Sequence, residues 1–422
     1  MAVEEPRERT AVDRRSFLAG AIGAGGGLIL GGAGGFAIAQ AVDDDDTDDR
    51  DAANGGEGAP GDEAALPSGK SEEDFVVHGT SPYTLETRRD RFGASALTAA
   101  PLVFVRQNLE LPDESILDDR DGWTVEIEGV AEPQSLTVGD LRSMGVATEA
   151  SVLQCSGNGR GFFEHDASGS QWEVGAAANI IWTGVPVSVV AEELGGPVDG
   201  ARFLTATGGD PLPPDVDERE AIVERSVPIE KGLRDCLLAW EMNGQPTPLA
   251  HGGPLRLIVP GYFGINNVKF VERLAFTEEE TDAAIMRTGY RVRPIGESGA
   301  PDQPTMWEMN VKSFVTEPLE SAPAGRLRVL GVAFAGESGV QAVEVSTDGG
   351  STWNEAELYG PDLGPAAWRR FEYAFDAEPG EYVIASRATD AAGDTQPEAR
   401  VENERGYAHN GWRDHAVTVE VT

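Results

Sequence analysis

The sequence predicts an α+β domain followed by an all-β sandwich of immunoglobulin-like size. Helix-like and strand-like segments mix without regular βαβ alternation over residues 75–294, whereas short strands at near-regular spacing fill residues 295–422. Turn signals such as Asp348-Gly349-Gly350 separate those later strands. The 422 residues suffice for two or three domains, and 40% apolar residues supply their cores. We expect the linker between the domains within residues 294–304.

The first 42 residues have the composition of an export signal. Arg14-Arg15 precede Ser16-Phe17-Leu18 and an uncharged Gly/Ala-rich stretch, which resembles a twin-arginine translocation signal. That pathway exports folded proteins, so it suits a protein that receives a cofactor before export. A cleaved signal, with candidate sites at residues 37–41, and an uncleaved N-terminal anchor both stay open. Either one makes the protein extracytoplasmic.

Residues 43–74 form an acidic, low-complexity segment that begins with four aspartates. Such a segment cannot bury enough apolar surface to offset its ordering entropy, so we expect a disordered linker. The acidic bias extends along the chain, whose 72 acidic and 33 basic residues give a net charge of -39. Salt of about 1 M, where the Debye length is roughly 3 Å, screens this repulsion, so the composition indicates a halophilic protein. It argues against nucleic acid or an anionic membrane as partner.

Hydrophobic patterns predict the elements of both domains. In the first domain, Thr137 is expected to cap a short helix carrying Leu141 and Met144, and a second helix is expected over residues 186–194. Strands are expected there over residues 123–130, 152–155, 202–207, 237–242, 255–259 and 268–276. In the second domain they are expected over residues 326–334, 342–346, 353–358, 368–375, 382–388 and 416–421.

The segment from Ser151 to Phe163 carries the most chemical information. A strand-forming stretch delivers Cys155 to a Ser/Gly/Asn loop, and Arg160 follows five residues later. A strand end holds a ligand rigidly, and small loop residues let the backbone approach it, so the pattern fits a thiolate metal ligand beside an anion clamp. A buried, inert cysteine is the alternative. The second cysteine, Cys236, lies in an apolar run and is expected in the core, although a Cys155–Cys236 disulfide stays open.

Further cationic residues lie in apolar, Gly/Pro-rich surroundings within residues 106–108, 240–261 and 266–269. This pattern places Arg, His and Lys donors at the ends of buried strands. It suits a large anionic cofactor whose phosphate or pterin oxygens accept hydrogen bonds from Arg and Lys. Structural ion pairs are the alternative, because buried Arg and Lys usually have carboxylate partners.

Together these motifs resemble the sulfite oxidase family of molybdenum–molybdopterin enzymes over residues 80–422. The cysteine loop resembles the molybdenum-binding loop of the family, and residues 242–244, 251–252 and 268–269 resemble its pterin-site segments. Residues 343–350 resemble its dimerisation domain. The resemblance implies a molybdopterin-binding domain over residues 75–294, an immunoglobulin-like dimerisation domain over residues 295–422, and a homodimer.

The resemblance also implies a role for each matched residue. Cys155 would be the thiolate ligand of molybdenum. The oxyanion pocket would be lined by three arginines and one tryptophan, namely Arg106, Arg160, Arg405 and Trp172. A planar guanidinium can donate two hydrogen bonds to two oxygens of one anion. The residues that would bind the cofactor are Arg106, Gln107, Asn108, Asp210, His251, Arg256, Asn267, Val268 and Lys269.

Two motifs depart from the family pattern. Sulfite-oxidising members often carry a tyrosine three residues before a Ser-x-Pro motif, where this chain has Val223. Many members read Arg-Asn-His where this chain reads Arg106-Gln107-Asn108. The expected fold and cofactor are unaffected, but the particular substrate is left open.

The resemblance implies oxidation of sulfite, or a related sulfur oxyanion, to sulfate. The sequence shows no haem-attachment Cys-x-x-Cys-His, so electrons are expected to pass to a separate acceptor such as a cytochrome or cupredoxin. Two alternatives stay open: nitrate reduction on the same cofactor, and a non-catalytic secreted binding protein on this scaffold.

Overall fold

The computed structural model describes residues 65–93 and 95–422. The predicted twin-arginine signal and residues 43–64 of the predicted linker lie outside the described residues. Residues 65–74, the end of that linker, are folded: Pro67 is buried, and Lys70 Nζ donates to the carbonyl oxygens of Ala100 (3.0 Å) and Val103 (2.6 Å). The folded part therefore begins before residue 75. Within the described ranges no helix is long and apolar enough to cross a membrane.

The first domain contains thirteen strands and five short α-helices in the described part of the chain. The strands are β1 (Phe75–Thr80), β2 (Tyr83–Thr87), β3 (Val105–Arg106), β4 (Thr124–Glu128), β5 (Gln134–Thr137), β6 (Ala147–Gln154), β7 (Ala177–Pro186), β8 (Phe203–Gly208), β9 (Glu224–Pro228), β10 (Leu237–Met242), β11 (Gln245–Pro246), β12 (Arg256–Ile258) and β13 (Val271–Thr277). The helices are α1 (Val138–Met144), α2 (Val187–Glu193), α3 (Glu218–Ala221), α4 (Ile229–Asp235) and α5 (Ala284–Arg287).

Three sheets organise this domain. The N-terminal sheet has the order β1-β2-β3. A second sheet has the order β11-β10-β7-β6, with β12 paired to β10, and a third has the order β5-β4-β13-β8-β9. Apolar side chains from the second and third sheets share one core, which includes Leu238, Leu257 and Leu274. Leu257 of β12 belongs to this core, whereas Val152 and Leu153 at the end of β6 pack into two neighbouring cores.

The second domain is a β-sandwich. Its strands are β14 (Lys312–Glu317), β15 (Ser321–Ala322), β16 (Gly325–Phe334), β17 (Val340–Ser346), β18 (Asn354–Glu355), β19 (Glu357–Tyr359), β20 (Arg369–Ala377), β21 (Gly380–Asp390) and β22 (Val417–Val421). They form two sheets with the orders β14-β16-β20-β19 and β15-β22-β21-β17-β18. Val329 and Phe371 of one sheet share a core with Val345 and Ile384 of the other, so the two sheets pack face to face.

Most predicted elements are confirmed within a few residues. Thr137 caps α1 through a capping box, in which Asp140 N donates to Thr137 Oγ1 (3.0 Å) and Thr137 N donates to Asp140 Oδ2 (2.9 Å). The expected strand over residues 237–242 coincides with β10. These elements were predictable because capping and apolar runs are local signals.

Two strand predictions were wrong in detail. The strand expected over residues 268–276 begins only at Val271, because Phe270 has a positive φ of 51° that interrupts the ladder. The strand expected over residues 353–358 is divided at Ala356: β18 pairs with β17 in one sheet, whereas β19 pairs with β20 in the other. Several elements were not predicted, among them β7, β9, β14 and α4.

Candidate functional site

A cavity opens beside the end of β6 and encloses about 660 Å³ of space not filled by protein atoms, part of it open to solvent. Cys155 lines it, together with all nine residues expected to bind the cofactor. These residues come from five separate stretches of the chain: 106–108, 155, 210, 251–256 and 267–269. The fold therefore collects the predicted ligands into one place.

The cysteine loop is held by hydrogen bonds to the segment of β7 and within the loop itself. β6 pairs with β7 over eight residues, and Cys155 N continues the pairing by donating to Ala176 O (2.9 Å). The Asn158 amide closes the loop: Nδ2 donates to Gln154 Oε1 (3.1 Å), and Oδ1 accepts from Ala176 N (3.1 Å). Cys155 is only partly buried and is free of any disulfide, and Cys236 is also a free thiol. The disulfide that the sequence left open is therefore absent, and the Cys155 thiol faces the cavity.

Part of the cavity wall is cationic. Arg256 donates from Nη1 to His251 O (2.8 Å) and from Nε to Asn267 O (3.1 Å). Lys269 Nζ donates to Ala250 O (2.7 Å) and to Arg106 O (3.1 Å). Backbone carbonyl oxygens thus position both side chains at the cavity.

Burial dominates the protonation of this wall. It lowers the pKa of Arg256 to about 9, and it lowers the pKa of Lys269 well below its ordinary value, an effect that the neighbouring Arg256 increases. Burial, with Lys70 and Lys269, likewise holds the pKa of His251 well below 6.5. Burial raises the pKa of Asp210 to about 6, although Lys269 opposes that shift. An anion bound here would favour the protonated forms of these cationic groups.

Several buried polar atoms at the cavity lack a hydrogen-bond partner among the described residues. They are His251 Nε2, Asp210 Oδ2 and Ser156 Oγ. Because buried polar atoms in folded proteins are nearly always paired, such atoms beside a cavity are suited to a ligand. A thiol, cationic donors and unpaired polar atoms around one cavity fit a large anionic group whose metal accepts a thiolate.

Three predicted pocket residues do not line the cavity. Arg160 is buried beside the cysteine loop, where Nε donates to Arg405 O (2.8 Å) and Nη1 donates to Ser170 O (3.1 Å). Trp172 is fully buried, and its ring packs edge-on against Phe104 at 6.3 Å. Phe104 itself lines the cavity, so Trp172 lies behind the wall. Arg405 is buried next to Arg160.

Sequence reasoning missed several residues that shape the site. Tyr290 lines the cavity, and no pattern in its surroundings pointed to it. Lys312 supports the cysteine loop by donating from Nζ to Asn158 O (2.9 Å). The scarcity of lysine in this chain was a signal that could have drawn attention to Lys312. Gln107, Asn108 and Val223, the residues that depart from the family pattern, all line the cavity.

Comparison with known proteins identifies the families of both domains. Residues 111–285 match the family described as oxidoreductase molybdopterin binding domain, and residues 303–421 match the Mo-co oxidoreductase dimerisation domain. Sulfite oxidase of Gallus gallus is 30% identical over 358 residues, which are 80% of this chain and 76% of that protein. Mitochondrial sulfite oxidase of Rattus norvegicus is also 30% identical, over 82% of this chain but only 65% of that protein.

Two further similarities involve other activities. Inducible nitrate reductase of Glycine max is 29% identical over 350 residues, which are 75% of this chain and 39% of that protein. The crystal structure of the sulfane dehydrogenase SoxCD from Paracoccus pantotrophus superposes with a TM-score of 0.69 at 26% identity. That similarity covers 87% of this chain and 95% of the other.

Proposed function

The chain belongs to the sulfite oxidase family of molybdopterin-dependent oxidoreductases, and on this premise we propose that it oxidises sulfite, or a related sulfur oxyanion, to sulfate. The observation that carries the proposal is the shared cavity of Cys155, Arg106 and the cationic wall of Arg256 and Lys269. The family implies the molybdenum cofactor, and the donor set of this cavity fits it.

The cofactor, when bound, supplies the two-electron oxidation and the oxygen transfer. Cys155 would hold the metal as a thiolate, because a coordinating cation keeps the thiol deprotonated. Arg256 and Lys269 would bind the anionic pterin end with their positive charges, and His251 would contribute its unpartnered Nε2. Asp210 would accept from the pterin ring through the carboxylate oxygen that has no partner among the described residues.

The protein's remaining task is to attract and orient an anion. A chain with a net charge of -39 repels sulfite at long range, so a locally positive cavity is needed to concentrate it. Arg106 lines that cavity and would donate paired hydrogen bonds to two substrate oxygens. We propose that Arg160 and Arg405, which adjoin the cysteine loop, add positive potential to the same pocket.

Cys155→Ala tests the proposal. In protein from a molybdate-supplied host, we expect sulfite-dependent ferricyanide reduction to fall below detection and molybdenum per chain to drop. Cys236→Ala is the matched control, because that thiol is fully buried, donates to Lys231 O (3.5 Å) and has a pKa that burial raises, which makes it a poor ligand. Turnover of Cys155→Ala at the parent rate would overturn the assignment.

A second candidate is nitrate reduction on the same cofactor. Val223 favours it, because this valine lines the cavity at the position where sulfite-oxidising members often carry a tyrosine. A nitrate reductase is also among the relatives. Assaying sulfite with ferricyanide against nitrate with reduced viologen separates the two activities. Stoichiometric molybdenum in the purified protein would exclude a non-catalytic binding protein.

The proposed assembly is a homodimer that passes electrons to a separate acceptor such as a cytochrome or cupredoxin. The match to the dimerisation domain over residues 303–421 supports the dimer. Sedimentation should then give twice the chain mass of 44.7 kDa. We also propose twin-arginine export, tested by replacing Arg14 and Arg15 with Lys and measuring the exported fraction.

A further inference from the structure

We infer that the hydroxyl of Tyr290 contacts the oxyanion bound in the cavity, and that Asn108 orients this hydroxyl. The inference rests on the proposed function, since it names a residue that would recognise the substrate of that same site. It concerns a residue that lay outside every motif of the sequence.

The position of Tyr290 is the first support. The residue follows α5 and lines the same cavity as Cys155 and Arg106. Its Oη donates to Asn108 Oδ1 (3.2 Å), and Asn108 also lines the cavity. The phenol therefore reaches the wall that Arg106 shares, from a segment 182 positions away along the chain.

The rigidity of the ring is the second support. It stacks on Tyr407 with ring centroids 5.5 Å apart and planes only 9° apart. The Arg225 guanidinium lies 5.8 Å from its centroid and is itself fixed by bonds to Ile285 O and Asn266 Oδ1. The backbone of Tyr290 has a φ of 52°, a left-handed conformation that aromatic residues seldom adopt. Surroundings that hold a residue in this way are typical of functional sites.

The chemistry of the pair supplies the third support. A phenol is a neutral donor with one proton, so it can donate a hydrogen bond either to Asn108 or to an anion. Turning the Asn108 amide by 180° brings Nδ2 to Oη, so that Asn108 donates to the phenol and the phenol proton faces the cavity. Tyr290 then donates to one anion oxygen while Arg106 donates to others.

The residues beside Tyr290 leave room for a hydroxyl donor in the cavity wall. Val223 lines the same cavity and offers no hydroxyl, and Asn108 stands where many members have a histidine. Tyr290, which comes from a different segment, forms a hydrogen bond with Asn108. It lines the same cavity as Val223.

Tyr290→Phe in the molybdenum-loaded holoenzyme tests the inference, because it removes the hydroxyl and keeps the stacked ring. We expect the KM for sulfite to rise about tenfold or more. The dissociation constant of sulfate, measured by calorimetry without turnover, should rise by the same factor at unchanged molybdenum content. Asn108→Leu should shift both constants in the same direction, and the double variant should show less than the product of the two effects. Tyr290→Phe combined with Val223→Tyr should recover part of the affinity.

Tyr373→Phe, on β20 of the second domain, is the matched control and should leave both constants unchanged. The inference is overturned if Tyr290→Phe binds sulfate and sulfite as tightly as the parent enzyme does. If the parent enzyme also oxidises sulfite, the proposed function stands. If the loaded parent oxidises no sulfite but binds sulfate more tightly than Tyr290→Phe, the proposed function fails and the anion contact is supported. A parent that binds neither anion overturns both.

Discussion

Lys312, buried in the first strand of the second domain, donates from Nζ to the carbonyl oxygen of Asn158 in the cysteine loop of the first domain (2.9 Å). The second domain also supports this loop through Ala408 N, which donates to Ser156 O (3.0 Å). Burial lowers the pKa of Lys312 to about 7, because a buried ammonium group loses its hydration and its charged form is disfavoured. The geometry around Cys155 therefore depends on both domains.

Lys312→Met should loosen the cysteine loop. The substitution leaves the buried Asn158 carbonyl without its Lys312 donor, which costs about 1–3 kcal/mol of unfolding free energy. We also expect molybdenum per chain to fall, because Cys155 lies three residues away on the same loop. Thermal unfolding and metal analysis measure the two effects. Lys231→Met is the control: that buried lysine binds Pro260 O and Asp235 instead, so stability should fall while molybdenum is retained.

Gly159→Ala should disturb the contact between the domains. Gly159 has a φ of 107°, and a Cβ there would collide with the ring of His409 from the second domain. We expect a loss of about 2 kcal/mol or more in the free energy of unfolding, since both the backbone and the packing oppose a side chain. Gly196→Ala is the control, because its φ of 86° is also positive but a methyl group at that position would have no neighbouring atom within 4 Å. Equal losses for both variants would refute the steric argument.

Stability should fall as the pH drops below about 6.5, partly through His409. Burial lowers the pKa of this histidine to about 4, although Asp414 opposes the shift. The unfolded chain then binds a proton that the folded chain does not, so His409 costs about 1.4 kcal/mol per pH unit between about pH 6 and 5. Chemical denaturation of the parent and His409→Asn at pH 7 and pH 5 measures it. The variant should lose less stability than the parent, and identical losses would exclude this assignment.

Salt should stabilise the protein strongly. With a net charge of -39, repulsion opposes the compact state until ions screen it. Raising KCl from 0.1 M to about 2 M should increase the Tm by about 5 °C or more, equivalent to roughly 1–2 kcal/mol for a domain of typical size. Sucrose at matched osmolality is the control for general solute exclusion. A Tm that responds equally to both solutes would contradict the proposed adaptation to salt.

Local signals account for the parts of the fold that the sequence predicted. The capping box of Thr137 and Asp140 and the apolar run of β10 each involve residues close together in the chain. Cys155 and Arg256 stood out for a related reason, because each lies at the end of a strand where an apolar run meets Gly or Pro, but their expected roles as ligands came from the family resemblance. β7, by contrast, is buried along most of its length and lacks the alternation by which strands are recognised.

Residue types and spacing alone determined that the chain is acidic, that it folds as two domains, and that it carries a cysteine loop. They also singled out the cationic residues that are candidates to bind an anionic cofactor. Only the tertiary structure decided that Arg160, Trp172 and Arg405 do not line the cavity, whereas Tyr290 does. It also decided that Lys312 holds Asn158 from 154 positions away. The physical reason is that such contacts depend on how sheets and domains pack, and this packing leaves no periodic trace in the neighbouring sequence.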